Sequence, residues 1–204
     1  TTRTKDAHLK ILKEFSQHKA QILLGTQMVT KGHDFSDVTL VGILDADLSL
    51  YFSDFHSCER TFQLITQVSG RAGRDEKEGI VILQTYSPRH YVYKFAQNYD
   101  YLGFYEKESN IRKVTKYPPF STIIRILACA EIEEDAIAVL KDIFDEIKLL
   151  TQKNKDDFLY LKAMKSPIKR IKKKYRVQIL IRLSSAGVDR NLGDIYNIIN
   201  KNNK

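Results

Sequence analysis

Val38-Thr39-Leu40-Val41-Gly42-Ile43-Leu44, read together with Ile80-Val81-Ile82-Leu83-Gln84-Thr85, decides the fold. Both runs are short, apolar and without polar alternation, as strands are when a parallel sheet is covered on both faces. Ile22-Leu23-Leu24-Gly25 has the same character and predicts a further buried parallel strand. Helical patterns surround these runs. From Asp6 to about His18, Leu9, Leu12 and Phe15 recur with a period near 3.6, with Ile11 beside them and Thr4 or Asp6 placed to cap. A second helix is expected from about Asp54 to Ser69. Helices alternating with parallel-type strands give an open α/β sheet with helices packed on it.

Outward from this unit, residues 88–115 read as helical and carry Tyr91, Tyr93, Phe95, Tyr99, Tyr101, Phe104 and Tyr105. These aromatics are expected to pack between units; stacking on bases is the other reading. Tyr117-Pro118-Pro119-Phe120 ends the helix, because each proline lacks a donor and restricts the residue before it. A strand then runs from Ser121 to Ala130. The next helix spans Glu133 to about Gln152, with Ile137, Leu140, Ile143, Phe144, Ile147 and Leu150 on one stripe. Asn154 to Asp157 form a polar turn and Phe158–Met164 a strand. Tyr175–Leu183 is another strand, in which Val177, Ile179 and Ile181 alternate with Arg176, Gln178, Leu180 and Arg182. Val188–Ile199 closes the chain as a helix. The order β-α-β-β-α predicts a split βαβ sandwich of the ferredoxin-like kind without its last strand. The expected domains are therefore residues 1–87, a helical connector 88–120, and an α+β domain 121–204.

The 204 residues suit one or two domains. With 43% apolar and 28% charged residues, disorder over most of the length is excluded. No apolar run approaches the roughly 18 residues of a membrane span. The start TTRTKDAHLK has no apolar signal region. Cys58 and Cys129 are too few for a disulfide framework or an ordinary zinc site, so a reducing cytosol is the expected compartment. The net charge of +8 is local: residues 1–115 contribute +1, residues 116–204 contribute +7, and residues 153–182 alone carry +9. Localised positive charge indicates a polyanionic partner, most often nucleic acid, the alternative being a solvated basic loop.

Three stretches carry candidate chemistry. Gly25-Thr26-Gln27-Met28-Val29-Thr30-Lys31-Gly32-His33-Asp34-Phe35 follows an expected strand, where open α/β sheets bind ligands. Thr26 offers a hydroxyl, Lys31 a cation, Gly32 close backbone approach to a phosphate, and Asp34 an acceptor for a sugar hydroxyl; an ordinary loop is the alternative. Gln67-Val68-Ser69-Gly70-Arg71-Ala72-Gly73-Arg74 places Gln67, Arg71 and Arg74 at i, i+4 and i+7, on one side if the helix continues. Two guanidiniums and an amide suit a triphosphate, and Gly70 and Gly73 keep the surface beside them bare. The alternative is a helix end with arginines at its negative pole. Lys169-Arg170-Ile171-Lys172-Lys173-Lys174-Tyr175-Arg176 holds six basic residues in eight and leads into a strand. Such a hairpin gathers phosphates, and Tyr175 is placed to stack on a base. His8, His18, His33, His56 and His90 show no metal-ligand spacing.

GTQMVTKGHDF, followed by VTLVGILDADLSLYFSDFHSCERTFQLITQVSGRAGR, resembles motifs V to VI of superfamily-2 helicases. LDAD, SCERTFQL, QVSGRAGR, YPPF and the later SPIKRIKKKYRVQILIR resemble one family within it, the primosomal protein N′ (PriA) replication-restart DNA helicases. That resemblance implies a second RecA-like helicase lobe over residues 1–87, followed by the family's DNA-binding C-terminal domain. It implies that Thr26, Gln27, Lys31 and Gly32 touch the tracking DNA strand and that Asp34 lies near the nucleotide. Gln67, Arg71 and Arg74 would face ATP held mainly by another lobe, with Arg74 the better arginine finger. Asp45 and Asp47 would couple the nucleotide cleft to DNA. ATP and Mg²⁺ would be cofactors of the intact enzyme. Forked and single-stranded DNA, single-strand-binding protein and primosome loading proteins would be its partners.

The sequence also departs from the family. It contains no G-x-x-x-x-G-K-[ST] loop, no D-E-x-H and none of the family's zinc-binding cysteines. Zinc is therefore expected only in a part of the family not represented here. The abrupt ends TTRTKDAHLK and NIINKNNK suggest a C-terminal fragment of a longer enzyme, with no ATPase activity alone. The rival readings are another superfamily-2 translocase acting on DNA or RNA, and a non-catalytic nucleic-acid-binding module.

Overall fold

The structure, a computed structural model, describes residues 5–26, 37–51, 54–70, 72 and 79–202. It divides into two compact units, residues 1–104 and 105–204.

The first unit contains helix α1 (Lys5–Ser16), strand β1 (Leu40–Ile43), a 3₁₀ turn (Ala46–Ser49), helix α2 (Ser57–Ser69), strand β2 (Ile80–Leu83) and helix α3 (Tyr91–Gln97). Helix α4 (Tyr101–Thr115) carries the chain into the second unit. Strands β1 and β2 pair in parallel, Leu40 opposite Ile80 and Ile43 opposite Leu83. Burial alternates along both. Val41, Ile43, Val81 and Leu83 face a core of Phe62, Ile65, Val92, Tyr93, Ala96 and Phe104, while Leu40, Ile80 and Ile82 are exposed. Among the described residues, the unbroken apolar runs therefore form a sheet covered on one face, where the sequence predicts buried strands.

The expected strand at Ile22-Leu23-Leu24 is absent. That segment is irregular, and Ile22 and Leu24 are 85% and 84% exposed. Among the described residues no ladder pairs with it, and an apolar run without a ladder gains neither partners for its backbone nor burial. The aromatic segment also differs from expectation. Tyr91, Tyr93, Phe95 and Phe104 pack inside the first unit, with Phe62 and Phe104 stacked at 4.5 Å between centroids, whereas Tyr99, Tyr101 and Tyr105 are exposed.

The second unit runs β3 (Thr122–Ala130), α5 (Glu133–Lys153), β4 (Phe158–Ile171), β5 (Lys174–Leu183) and α6 (Ser185–Asn202). The sheet order is β3-β5-β4, and β5 is antiparallel to both neighbours. Strands β3 and β4 are thus parallel with β5 inserted between them, the split βαβ arrangement. Acidic Glu133, Glu134 and Asp135 in the first turn of α5 and Lys153 in its last suit the helix dipole. Its stripe of Leu140, Ile143 and Ile147 buries against Ile126, Val177, Ile179, Ile181 and Leu183; Ile195 of α6 completes the core. Fully burying each such side chain stabilises by about 1.5–3 kcal/mol.

A polar tie anchors α6. Asp157 accepts hydrogen bonds from Arg190 and from Asn191 Nδ2 at 2.8 Å, and Asn154 Nδ2 donates to Asn191 Oδ1 at 2.7 Å. Gly187 is required there, because a Cβ would lie 2.6 Å from that of Asp157. Strand β4 continues past Met164 to Ile171. Its register shifts between Lys165 and Arg170, around Pro167, the irregular edge position at which a strand tolerates proline.

Candidate functional site

Because β1 and β2 are parallel and in register, the loops leaving their carboxyl ends lie side by side. Asp45 takes a left-handed conformation, φ 49°, and its N–H reaches Gln84 Oε1 at 3.3 Å. The chain then turns inward and buries Asp47, which is 1% exposed. Thr85 Oγ1 donates to both carboxylate oxygens of Asp47 at 2.8 and 2.9 Å. The Tyr86 N–H donates to the same carboxylate at 2.6 Å and the Tyr93 hydroxyl at 2.9 Å. Burial alone would push the Asp47 carboxyl up. The hydrogen bonds from Tyr86, Thr85 and Tyr93, with His90 nearby, outweigh it and hold the group below the usual carboxylate range. Burial, together with this carboxylate, pushes the Tyr93 phenol up to about 12. Asp47 is therefore an internal tie between the two strand-end loops and α3. Asp45 is the solvent-facing carboxylate of the pair.

Of the candidate site residues in the two helicase-like stretches, Thr26, Gln67 and Gly70 are described and all three are exposed. Gln27, Lys31, Gly32, His33, Asp34, Arg71, Gly73 and Arg74 lie outside the described residues. Helix α2 ends at Ser69, and Gly70 caps it with its N–H on Thr66 O at 3.1 Å. Gln67 is thus in the last turn of the helix. A Cβ on Gly70 would make ordinary contact with Thr66 O at 3.5 Å and Gln67 O at 3.8 Å. Among the described residues no side-chain hydrogen bond joins Thr26 to Gln67. At the other end of α2, Asp54 accepts from the His56 N–H and ring and from Arg60 Nη2 at 2.9 Å; these contacts outweigh partial burial and hold its carboxyl below the usual range.

The basic stretch is the tip of the β4–β5 hairpin. Lys172 and Lys173 form its two-residue turn with φ 48° and 66°, the primed geometry that matches strand twist. Lys169, Arg170, Lys172, Lys173 and Lys174 are exposed. Arg170 lies over the Tyr175 ring at 4.7 Å and its Nε donates to Lys173 O at 3.3 Å, which fixes one guanidinium and one aromatic face together. Among the described residues no carboxylate lies within ion-pair distance of these cations or of Arg176. The tip is thus a concentrated positive charge that no local group neutralises.

The sequence reading missed Thr85 and Tyr93, whose pairing with Asp47 spans 38 and 46 residues and leaves no local signal. It also did not single out Arg125 and Lys162, which the register sets on either side of Leu180, on the same face of the sheet as Arg176 and Arg182. Among the described residues, no three His, Cys, Asp or Glu gather as a metal site would require, and no helix is long and apolar enough to cross a membrane.

Residues 1–76 match the family model "Helicase conserved C-terminal domain", and residues 113–202 match "Primosomal protein N C-terminal domain". The chain is 46% identical over 183 residues to replication restart protein PriA of Bacillus subtilis, covering 89% of this chain and 22% of that protein. It is 40% identical over 185 residues to the Synechocystis protein of that name, covering 91% and 22%, and 36% identical over 177 residues to that of Borreliella burgdorferi, covering 87% and 26%. The chain thus spans about a quarter of the length of the curated relatives it matches.

Proposed function

Since the chain belongs by these matches to the PriA family of replication restart proteins, we propose that it supplies the C-terminal part of an ATP-dependent DNA helicase acting in the cytosol at stalled forks. One observation carries this reading: a helicase C-terminal match and a primosomal C-terminal match occur in that order on one chain, over the two units the structure separates. The exposed Gln67 amide and the exposed Gly70 beside it fit a phosphate edge. Arg71 and Arg74 would add the charge that phosphoryl transfer needs, and Asp34 would lie near the nucleotide. ATP with Mg²⁺, when bound in the intact protein, would supply the free energy for translocation through its hydrolysis.

This chain's own residues then divide the work. Thr26, Gln27, Lys31 and Gly32 would follow the tracking strand. Lys169, Arg170, Lys172, Lys173, Lys174 and Arg176 would hold phosphates, with Tyr175 against a base. Asp47 ties the loops at the strand ends to α3, so that Asp45 is presented on a fixed backbone. Single-strand-binding protein and primosome loading proteins are the partners this reading expects.

The test uses the full-length protein. Arg74→Ala should lower DNA-stimulated ATP turnover by about 10³-fold, the scale of an arginine finger. An unchanged rate would reduce the α/β unit to a scaffold. The 204-residue chain alone should turn over no ATP, since it lacks a phosphate-binding loop. Competition between forked and linear DNA separates restart activity from that of a general translocase, because restart requires a preference for the fork.

A further inference from the structure

Side chains alternate across a strand, so the register assigns each residue of the second unit's sheet to one of two faces. Ile126, Val177, Ile179 and Ile181 face α5 and α6. The opposite face is built of cross-strand rows: Ile123–Arg182–Tyr160, Arg125–Leu180–Lys162, Leu127–Gln178–Met164 and Cys129–Arg176. Successive rows are about 7 Å apart along the strands. This face carries four cations and no carboxylate, and among the described residues none of the four has an ion-pair partner. Ordinary surfaces intersperse both signs.

Two further observations distinguish this face from a merely solvated one. Gln178, at its centre, is 5% exposed, and its Oε1 has no hydrogen-bond partner. Native interiors normally pair such an acceptor. At one end, the Arg182 guanidinium sits 4.6 Å from the Tyr117 ring centroid and 5.6 Å from that of Tyr160, while Nη1 donates to Thr115 O at 3.0 Å and Nε is unpaired. The face thus combines an apolar centre, an unused acceptor, flat rings and flanking cations.

We propose that this face, opposite α5 and α6, binds single-stranded nucleic acid, with bases on the Leu127–Gln178–Leu180 centre and phosphates at Arg125, Lys162 and Arg176. A duplex hides the flat faces of its bases and offers mainly phosphate, which the hairpin tip alone accommodates. An unpaired strand offers both, and a base with an exocyclic amine meets the Gln178 acceptor. The inference rests on the reading that this unit binds DNA, and it adds a second surface with a stated preference for one form of it.

Fluorescence anisotropy of the 204-residue chain, with an unstructured single strand and a blunt duplex of equal length over a range of salt, tests it. Arg125→Gln/Lys162→Gln should weaken single-strand binding at least tenfold and change duplex binding less than twofold. The salt slope for the single strand should fall by about 1.4, from roughly 0.7 per lost phosphate contact. Lys172→Gln/Lys173→Gln should weaken both forms. Wild-type single-strand affinity in the face variant overturns the proposal, as does an equal loss for both forms or equal competition by an acidic peptide of matched charge. If the wild-type chain binds neither form, the DNA reading beneath it fails instead. Photocrosslinking an iodouracil-bearing strand to the wild-type chain avoids any folding defect: adducts on residues 122–130 and 158–164 support the face, and adducts confined to 169–176 overturn it.

Discussion

The two units treat apolar strand residues in opposite ways. In the second, Val177, Ile179, Ile181 and Leu183 of β5 are all buried beneath two helices supplied by the same unit. In the first, Leu40, Ile80 and Ile82 are of the same chemical type and are 58%, 62% and 58% exposed. Hydrophobicity therefore does not fix burial in this chain; the presence of a covering layer does. Among the described residues, the second unit closes its own core, while the first covers one face of its sheet and ties its strand ends through the buried carboxylate of Asp47.

This contrast can be broken or sharpened by substitution. Ile179→Ala, at a site with no exposed surface, should destabilise the second unit by about 2–5 kcal/mol. Urea unfolding followed by segment-resolved hydrogen exchange should show the loss in β3, β4 and β5 and leave β1 and β2 unchanged. Equal loss in both units would mean that they unfold as one. Asp47→Asn replaces an acceptor-only group that receives four hydrogen bonds, and should cost the first unit about 1–3 kcal/mol in the same assay. Because the Asp47 carboxyl is held below its ordinary value, its stabilisation should be fully present above about pH 4 and fade as pH falls through the lower folded-state value. An acid titration of β1–β2 protection checks the sign, and Asp47→Asn should flatten it. The smallest effect is expected at Ile82→Thr, within about 0.5 kcal/mol. A cost near that of Ile179→Ala would show that the open face is covered in solution.

The second unit is the more legible in sequence because its signals are local. The α5 stripe and the β5 alternation each predict a face, and the packing follows from them. Strand β4 reads short in the sequence because its last residues are basic and contain Pro167, features of a loop that a bulged edge strand also tolerates. The first unit is less legible because non-alternating apolar runs report hydrophobicity and not pairing. Ile22-Leu23-Leu24 and Leu40-Val41-Gly42-Ile43 read alike, yet among the described residues only the second has a ladder. At the candidate sites, the basic tip is visible as composition. The fixing of Asp47 by Thr85 and Tyr93 is not, since it depends on which loops the parallel register brings together.

Lys172 and Lys173 occupy backbone angles that an Asn-Gly pair adopts with far less strain. Such a pair in their place would close the tip more readily and carry no ammonium group. What the lysines contribute is charge: two exposed ammonium groups at the end of a two-stranded hairpin, kept at some cost in ease of closure.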